Sequence, residues 1–112
     1  MSKYKVVITQ KAKNNIKDIV QYISNQLSNE SAALNLARLF KIKMSNLDLF
    51  PHSNPLVEES PWREQGIRKI MIKMFVAYYL INDSNKTVTV LWVAYSKRNQ
   101  IEELKKLDNY NS

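Results

Sequence analysis

The sequence predicts an α+β two-layer sandwich of order β-α-α-β-β-β, with a candidate short helix at the C-terminus. Three observations carry this. Two consecutive segments repeat apolar residues at intervals of three and four, the spacing of amphipathic helices. From residue 67 onward the pattern changes to β-branched and aromatic runs separated by a polar turn of hairpin length. The chain has 112 residues, enough for one domain around one modest core, so residues 1–112 are read as a single unit.

Residues 3–8, Lys-Tyr-Lys-Val-Val-Ile, read as the first strand. Thr9 can cap the helix that follows, where Ala12, Ile16, Ile19, Val20, Ile23 and Leu27 form one stripe and Lys13, Lys17, Asp18 and Gln21 face solvent. Ser28 or Asn29 can cap a second helix. Its stripe of Ala33, Leu36, Ala37, Phe40, Met44 and Leu47 is broadened by Leu34, Leu39 and Ile42, and Phe50-Pro51 ends it. Two such helices joined by a short link form an antiparallel hairpin that needs a sheet to cover it. Residues 51–66 are irregular, with three prolines and the chain's one glycine, Gly66. Ile67–Met74, Phe75–Ile81 and Thr87–Ala94 then read as a three-stranded antiparallel meander, with Asn82–Lys86 as a turn. Asn99–Leu107 is a candidate helix with Ile101, Leu104 and Leu107 inward.

Composition excludes several chemistries. One glycine is too few for a glycine-rich phosphate cradle, whose backbone needs conformations only glycine tolerates. The absence of Cys removes disulfides, thiolate metal sites and Cys nucleophiles, and the lone His52 removes His-rich metal clusters and most triads. No metal and no organic cofactor is expected. Seventeen Lys and Arg against ten acids give a net charge of +7, which favours polyanionic partners. No signal peptide and no membrane span is visible, so a cytoplasmic location without membrane association is expected.

Several stretches resemble a known family. They are Ala12, Ile16, Asp18-Ile19 and Tyr22-Ile23 in the first helix, Ala32-Ala33 opening the second, and Leu47…Leu49-Phe50-Pro51 closing it. Asn54-Pro55-Leu56-Val57 follows, then Gly66-Ile67-Arg68-Lys69-Ile70 and Phe75-Val76-Ala77-Tyr78-Tyr79. Thr87-Val88, Leu91-Trp92-Val93 and Tyr95-Ser96-Lys97-Arg98-Asn99 complete the set. Their order and spacing resemble toxins of the RelE/ParE superfamily of bacterial type II toxin–antitoxin systems. The resemblance implies a helical hairpin on one face of an antiparallel sheet, with the other face partly open. It implies neutralisation by a cognate antitoxin in a hetero-oligomer. The target it implies is gyrase in the ParE-like branch, or translated mRNA on the ribosome in the RelE-like branch.

Metal-free RNA cleavage needs a stabilised phosphate charge and groups that move protons. Arg68, Lys69, Lys73, Lys97 and Arg98 lie on or beside the predicted strands and are candidates for phosphate or target contact; Tyr95 and Tyr110 are candidate proton or stacking groups. Arg68 and Arg98 are the catalytic candidates if the protein is a nuclease. The bland alternatives are a surface arginine tied to an acid such as Glu64, a row of edge lysines that blocks aggregation, and a favourable charge beside a turn. Tyr78 and Tyr79 must face opposite sides of the sheet, so one is core and the other a candidate base-stacking platform. Trp92 reads as core, Trp62 as packing over the sheet edge, and His52 as a loop residue. One departure separates the branches. The ribosome-dependent nucleases of the family commonly carry a second arginine after the aromatic that opens the middle strand; here Val76 follows Phe75. The chain also lacks the His-Tyr ending of one nuclease subgroup. The expected function is therefore a ParE-like toxin, with a ribosome-dependent mRNA endonuclease as the first alternative and an inactive antitoxin-binding co-repressor as the second. An uncovered cationic sheet surface is the feature this expectation depends on.

Overall fold

A computed structural model describes residues 3–96. Strand β1 (Lys5–Ile8) passes through Thr9 into helix α1 (Gln10–Gln21). The Thr9 hydroxyl accepts the Ala12 N–H at 3.1 Å, which starts the helix. Helix α1 loosens into one π-type turn over Tyr22–Gln26, and Ser28, at φ +48°, reverses the chain. Asn29 then caps helix α2 (Glu30–Ser45), its side chain accepting the Ala32 N–H at 3.0 Å. Helix α2 stops at Ser45, short of Phe50. The chain tightens into a 3-10 turn over Asn46–Asp48, and the Asp48 carbonyl accepts the Tyr4 N–H at 2.9 Å. Strands β2 (Arg68–Ile72), β3 (Phe75–Asn82) and β4 (Thr87–Tyr95) follow.

The four strands form one sheet in the order β1-β4-β3-β2. The pairs β2–β3 and β3–β4 are antiparallel, as the meander predicts, but β1 lies parallel to β4. The sheet is therefore mixed rather than wholly antiparallel. A two-helix crossover between β1 and the meander makes parallel pairing accessible, whereas a hairpin turn cannot. Ile72 pairs with Phe75, so β2 and β3 are joined by Lys73 and Met74 alone, with Lys73 at φ +55°.

Strand β1 covers β4 only from Thr87 to Val90. Beyond that point α1 takes over the exposed edge. Thr9 donates its N–H to the Val90 carbonyl at 3.1 Å and its hydroxyl to the Leu91 carbonyl at 2.8 Å. The Asn15 side-chain oxygen accepts the Val93 N–H at 3.0 Å. Edge groups that would otherwise invite another chain are thus satisfied within the molecule.

The main core lies between the helices and one face of the sheet. Ala12, Leu36, Phe40, Met44 and Leu47 meet Ile72, Phe75, Ala77, Tyr79, Val88, Val90 and Val93 there. The Phe40 and Phe75 rings stand 5.6 Å apart at the contact of α2 with the sheet. The candidate helix over 99–107 lies outside the described residues. Phe40→Ala is expected to lower unfolding free energy by about 3–5 kcal/mol, because the loss combines transfer and cavity costs; urea titration followed by tryptophan fluorescence measures it.

Candidate functional site

Register decides which side chains can meet a target. Cross-strand partners share a face, and Arg68 pairs with Tyr79 while Lys69 pairs with Tyr78. Tyr79 is fully buried among the residues that face the helices. Arg68 therefore projects to the helix side of the sheet, and Lys69 to the opposite, outer face beside Tyr78. This settles the alternation of the two tyrosines: Tyr78 faces outward and Tyr79 inward.

The outer face carries an aromatic stack. Tyr78 and Trp92 lie 4.7 Å apart between ring centroids at an interplanar angle of 28°. Trp62 meets Trp92 edge-on at 6.0 Å, and the Lys11 ammonium stands 5.5 Å from the Trp92 ring. Trp92 does pack, but on the outer face and not between helices and sheet. Trp62, 44% exposed, both packs on Trp92 and presents a surface. The segment bearing Trp62 thus lies over this face, and Val76, whose register places it outward, is only 3% exposed. Val57 and Ile67 are buried as well, outside the main core. The expected open cationic surface is therefore partly covered by the chain's own aromatic side chains. Burial, with the Glu59 carboxylate nearby, pushes the Tyr78 phenol up. Burial also pushes Tyr79 up, against the opposing pull of Asn54 and Arg68. At neutral pH both rings stay protonated; they can donate hydrogen bonds and stack, but they do not serve as phenolate bases.

On the helix side, Arg68 is engaged by backbone. Its Nη1 donates to the Asn54 carbonyl at 2.6 Å and to the His52 carbonyl at 3.2 Å. Tyr79 donates its hydroxyl to the Pro51 carbonyl at 2.6 Å. Ser53 donates both its N–H and its hydroxyl to the Phe50 carbonyl, at 3.1 and 2.8 Å. These bonds hold a corner in which Phe50 takes a left-handed φ of +53° and is 65% exposed. Glu64, the anticipated ion-pair partner of Arg68, instead accepts the Ser60 hydroxyl at 2.7 Å, which together with its own backbone N–H holds its carboxyl below the usual range.

The same corner carries an exposed polar cluster. Asp83 accepts the Tyr4 hydroxyl at 2.6 Å and the His52 Nε2–H at 3.1 Å. The Tyr4 and His52 rings meet edge-on at 5.9 Å, and the Lys86 ammonium lies 5.0 Å from the Tyr4 ring. These bonds, Tyr4 first, hold the Asp83 carboxyl below its ordinary value, and bonding to Asp83 raises the Tyr4 phenol.

The predicted site residues do not converge. Lys69 joins the outer face, whereas Arg68 is on the other side. Lys73 sits in the two-residue β2–β3 turn, beyond the end of β2 and apart from Lys69. Tyr95 faces the helices, its ring 4.9 Å from Phe75. Lys97, Arg98 and Tyr110 lie outside the described residues. Sequence reasoning missed Lys11, whose place in the first turn of α1 gave no signal that it reaches over Trp92. Among the described residues no group of three or more His, Cys, Asp or Glu is placed to hold a metal ion.

Comparison with known proteins agrees with this architecture. A family model described as the ParE toxin of the type II toxin–antitoxin system parDE matches residues 6–100. No curated protein matches the sequence. A chain of the chromosomal ParDE system from P. aeruginosa superposes with a TM-score of 0.67 at 16% identity, covering 82% of this chain and 95% of that one. A chain of the RelBE2 toxin–antitoxin complex from Mycobacterium tuberculosis superposes at 0.56 with 19% identity, covering 85% and 93%. A mutant of the E. coli toxin RelE in the free state superposes at 0.58 with 14% identity, covering 90% and 92%. At these identities the structural likeness establishes the fold.

Two measurements test the corner. Arg68→Ala is expected to cost about 1.5–3 kcal/mol of stability, the range for hydrogen bonds from a charged donor. Arg68→Lys should recover only part of it, since both bonds leave one planar guanidinium nitrogen whose reach and N–H directions an ammonium on its flexible stem does not reproduce; chemical denaturation of both variants measures the difference. Asp83 gives a pH signature. Its folded-state value is lowered from 3.8, so below that value the unfolded chain binds a proton that the folded chain does not. Its contribution is present above 3.8 and is lost as pH falls through the lower folded value. Urea midpoints taken from pH 6 to pH 3 should therefore fall less steeply in Asp83→Asn than in the parent.

Proposed function

The chain belongs to the ParE toxin family of type II toxin–antitoxin systems, and on that premise we propose that it arrests growth by acting on DNA gyrase. In this reading it works in the cytoplasm and a cognate antitoxin silences it within a hetero-oligomer. The described residues contain no helix long and apolar enough to cross a membrane.

The observation that carries the choice of target is Val76. At the strand position where nucleases of the superfamily commonly place a second arginine, this chain has an aliphatic side chain that is 3% exposed. Loss of one charge-stabilising donor commonly costs a factor of about 10²–10³ in rate. The engagement of Arg68 with the His52 and Asn54 carbonyls points the same way, because it turns the first catalytic candidate toward structure. In the proposed toxin, Lys69, Lys73, Lys97 and Arg98 contact the target, Tyr78 adds a stacking surface, and Arg68 and Tyr95 act through the fold that supports them. The mRNA endonuclease remains the second reading. The Tyr78–Trp92 stack beside Lys69 favours it, since aromatic rings next to cations suit single-stranded nucleic acid.

Induced expression, alone and together with any small protein encoded beside the gene as candidate antitoxin, tests the proposal. The expected outcome is growth arrest with stabilised double-strand breaks, DNA-damage signalling and intact mRNA, relieved by the antitoxin. Codon-phased cuts in translated mRNA would transfer the assignment to the nuclease, and unimpaired growth would leave only the co-repressor reading.

A further inference from the structure

Phe50 is the most exposed large apolar side chain among the described residues, at 65%. It also stands in a left-handed backbone, at φ +53° and ψ +47°. The fold accounts for that backbone but not for the ring. A left-handed residue redirects the chain between the turn over Asn46–Asp48 and the turn over Pro51–Ser53. Gly or Asn does this at lower cost. A bulky residue in the left-handed region is an outlier, and a ring left in solvent gains little from burial in return. The chain nonetheless holds it there. Ser53 bonds the Phe50 carbonyl, while Tyr79 and Arg68 bond the carbonyls of Pro51, His52 and Asn54. The preceding Leu49 is exposed as well. Tyr4, His52, Asp83 and Lys86 form the polar cluster of the same corner.

We propose that Phe50 is the anchor with which this chain enters an apolar pocket of its protein target, with Tyr4, His52 and Lys86 as the polar rim of the contact. The inference rests on the preceding reading, in which the chain acts on gyrase, and it names the residue that makes the contact. Strained conformations concentrate at functional positions, and interfaces draw most of their energy from a few aromatic or Arg anchors ringed by polar groups. Shape and charge select the partner. A ring that projects from the surface needs a preformed concave seat, which a folded protein has and a short segment that orders on binding has not. In a chain of net charge +7 this corner is balanced, since Asp48 and Asp83 offset Arg68 and Lys86. A nucleic acid would find little net attraction here. A second copy offers no matching seat at the link between α1 and α2. The concavity there is lined by Ser24, Asn25, Ser28, Asn29, Glu30 and Ser31, all polar.

Phe50→Asn and Phe50→Gly remove the ring and suit the backbone, so they separate anchoring from folding. The full chain and both variants are compared by urea unfolding, by biosensor binding to purified gyrase and by growth arrest on induction. Phe50→Asn should unfold at the parent's urea midpoint or above it, because the left-handed strain is eased. Both variants should nevertheless bind gyrase at least about tenfold more weakly and need correspondingly higher expression to arrest growth. Phe50→Tyr, which keeps a ring, should recover most of the loss. A fall of stability in step with activity would assign the ring to the fold and overturn the inference. Parent-like binding and arrest in both variants would overturn it too. So would arrest that persists but is no longer relieved by the candidate antitoxin, which would give the ring to that partner. Equal weakening toward a short DNA duplex would transfer it to nucleic acid, and a parent dimer that Phe50→Asn dissociates would transfer it to a second copy; either result overturns the proposal. Gyrase binding by the parent that neither variant weakens sinks this inference alone. Failure of the parent itself to bind gyrase sinks the choice of target, and this inference with it.

Discussion

One extra residue in β4 decides what the outer face of this protein is made of. Tyr78 pairs with Trp92 and Tyr79 pairs with Val90, so Leu91 is left between them as a bulge. Without it, Val90 and Trp92 would point to the same side, as residues two apart in a strand do. The bulge keeps Val90 in the core and turns Trp92 outward onto Tyr78. Its position is held from the edge by Thr9, which bonds the Val90 and Leu91 carbonyls while its hydroxyl also caps α1. A single threonine thus joins the start of the helical layer to the point where the sheet changes register.

The helical hairpin can cover only one face of a four-stranded sheet, and in this molecule the other face is partly covered by the irregular segment between α2 and β2. Trp62 brings that segment against Trp92, and Val57, Ile67 and Val76 are buried away from the main core. The burial of Val76 explains why an aliphatic suits that position. A cation buried there without a partner would bear a desolvation cost that the surrounding aliphatics could not offset. The same burial that stabilises the covered face removes a charge from the place where phosphodiester chemistry would use one. Residue 76 is thus fixed by packing on this face.

Much of the fold was legible because it depends on periodicity. The two amphipathic helices, the caps at Thr9 and Asn29, the β2–β4 meander and the turn after β3 follow from spacing and local residue chemistry, and all appear where those signals stand. The direction of β1 was not legible: a four-residue run pairs equally well by composition in either sense, and the crossover decides. The end of α2 was hidden because the Asp48 carbonyl is drawn to Tyr4, more than forty positions away in sequence. Of the candidate site, the alternation of Tyr78 and Tyr79 was legible but its phase was not, since phase depends on the bulge. Arg68 is the instructive residue. Its charge and its place after Gly66 fit a phosphate contact and a loop clamp equally, and only the positions of the His52 and Asn54 carbonyls distinguish them.

That distinction changes how loss of function at Arg68 is to be read. Phe50 holds a left-handed backbone that costs a bulky side chain on the order of 1–3 kcal/mol, and such a conformation persists only where its surroundings over-determine it. Here Ser53, Tyr79 and Arg68 supply those surroundings through bonds to four successive or nearly successive carbonyls, those of Phe50, Pro51, His52 and Asn54. Removing the guanidinium releases two of the four, so it loosens the corner before it deprives any target of a charge. A toxin inactivated by Arg68→Ala would look the same whether Arg68 touches the target or merely holds Phe50 in place. The two roles separate only when activity and stability are compared: a clamp loses both in proportion, whereas a target contact loses activity at constant stability. The bonds of Arg68 to the His52 and Asn54 carbonyls are those of a clamp, and a fall of activity and stability in proportion is the result they lead one to expect.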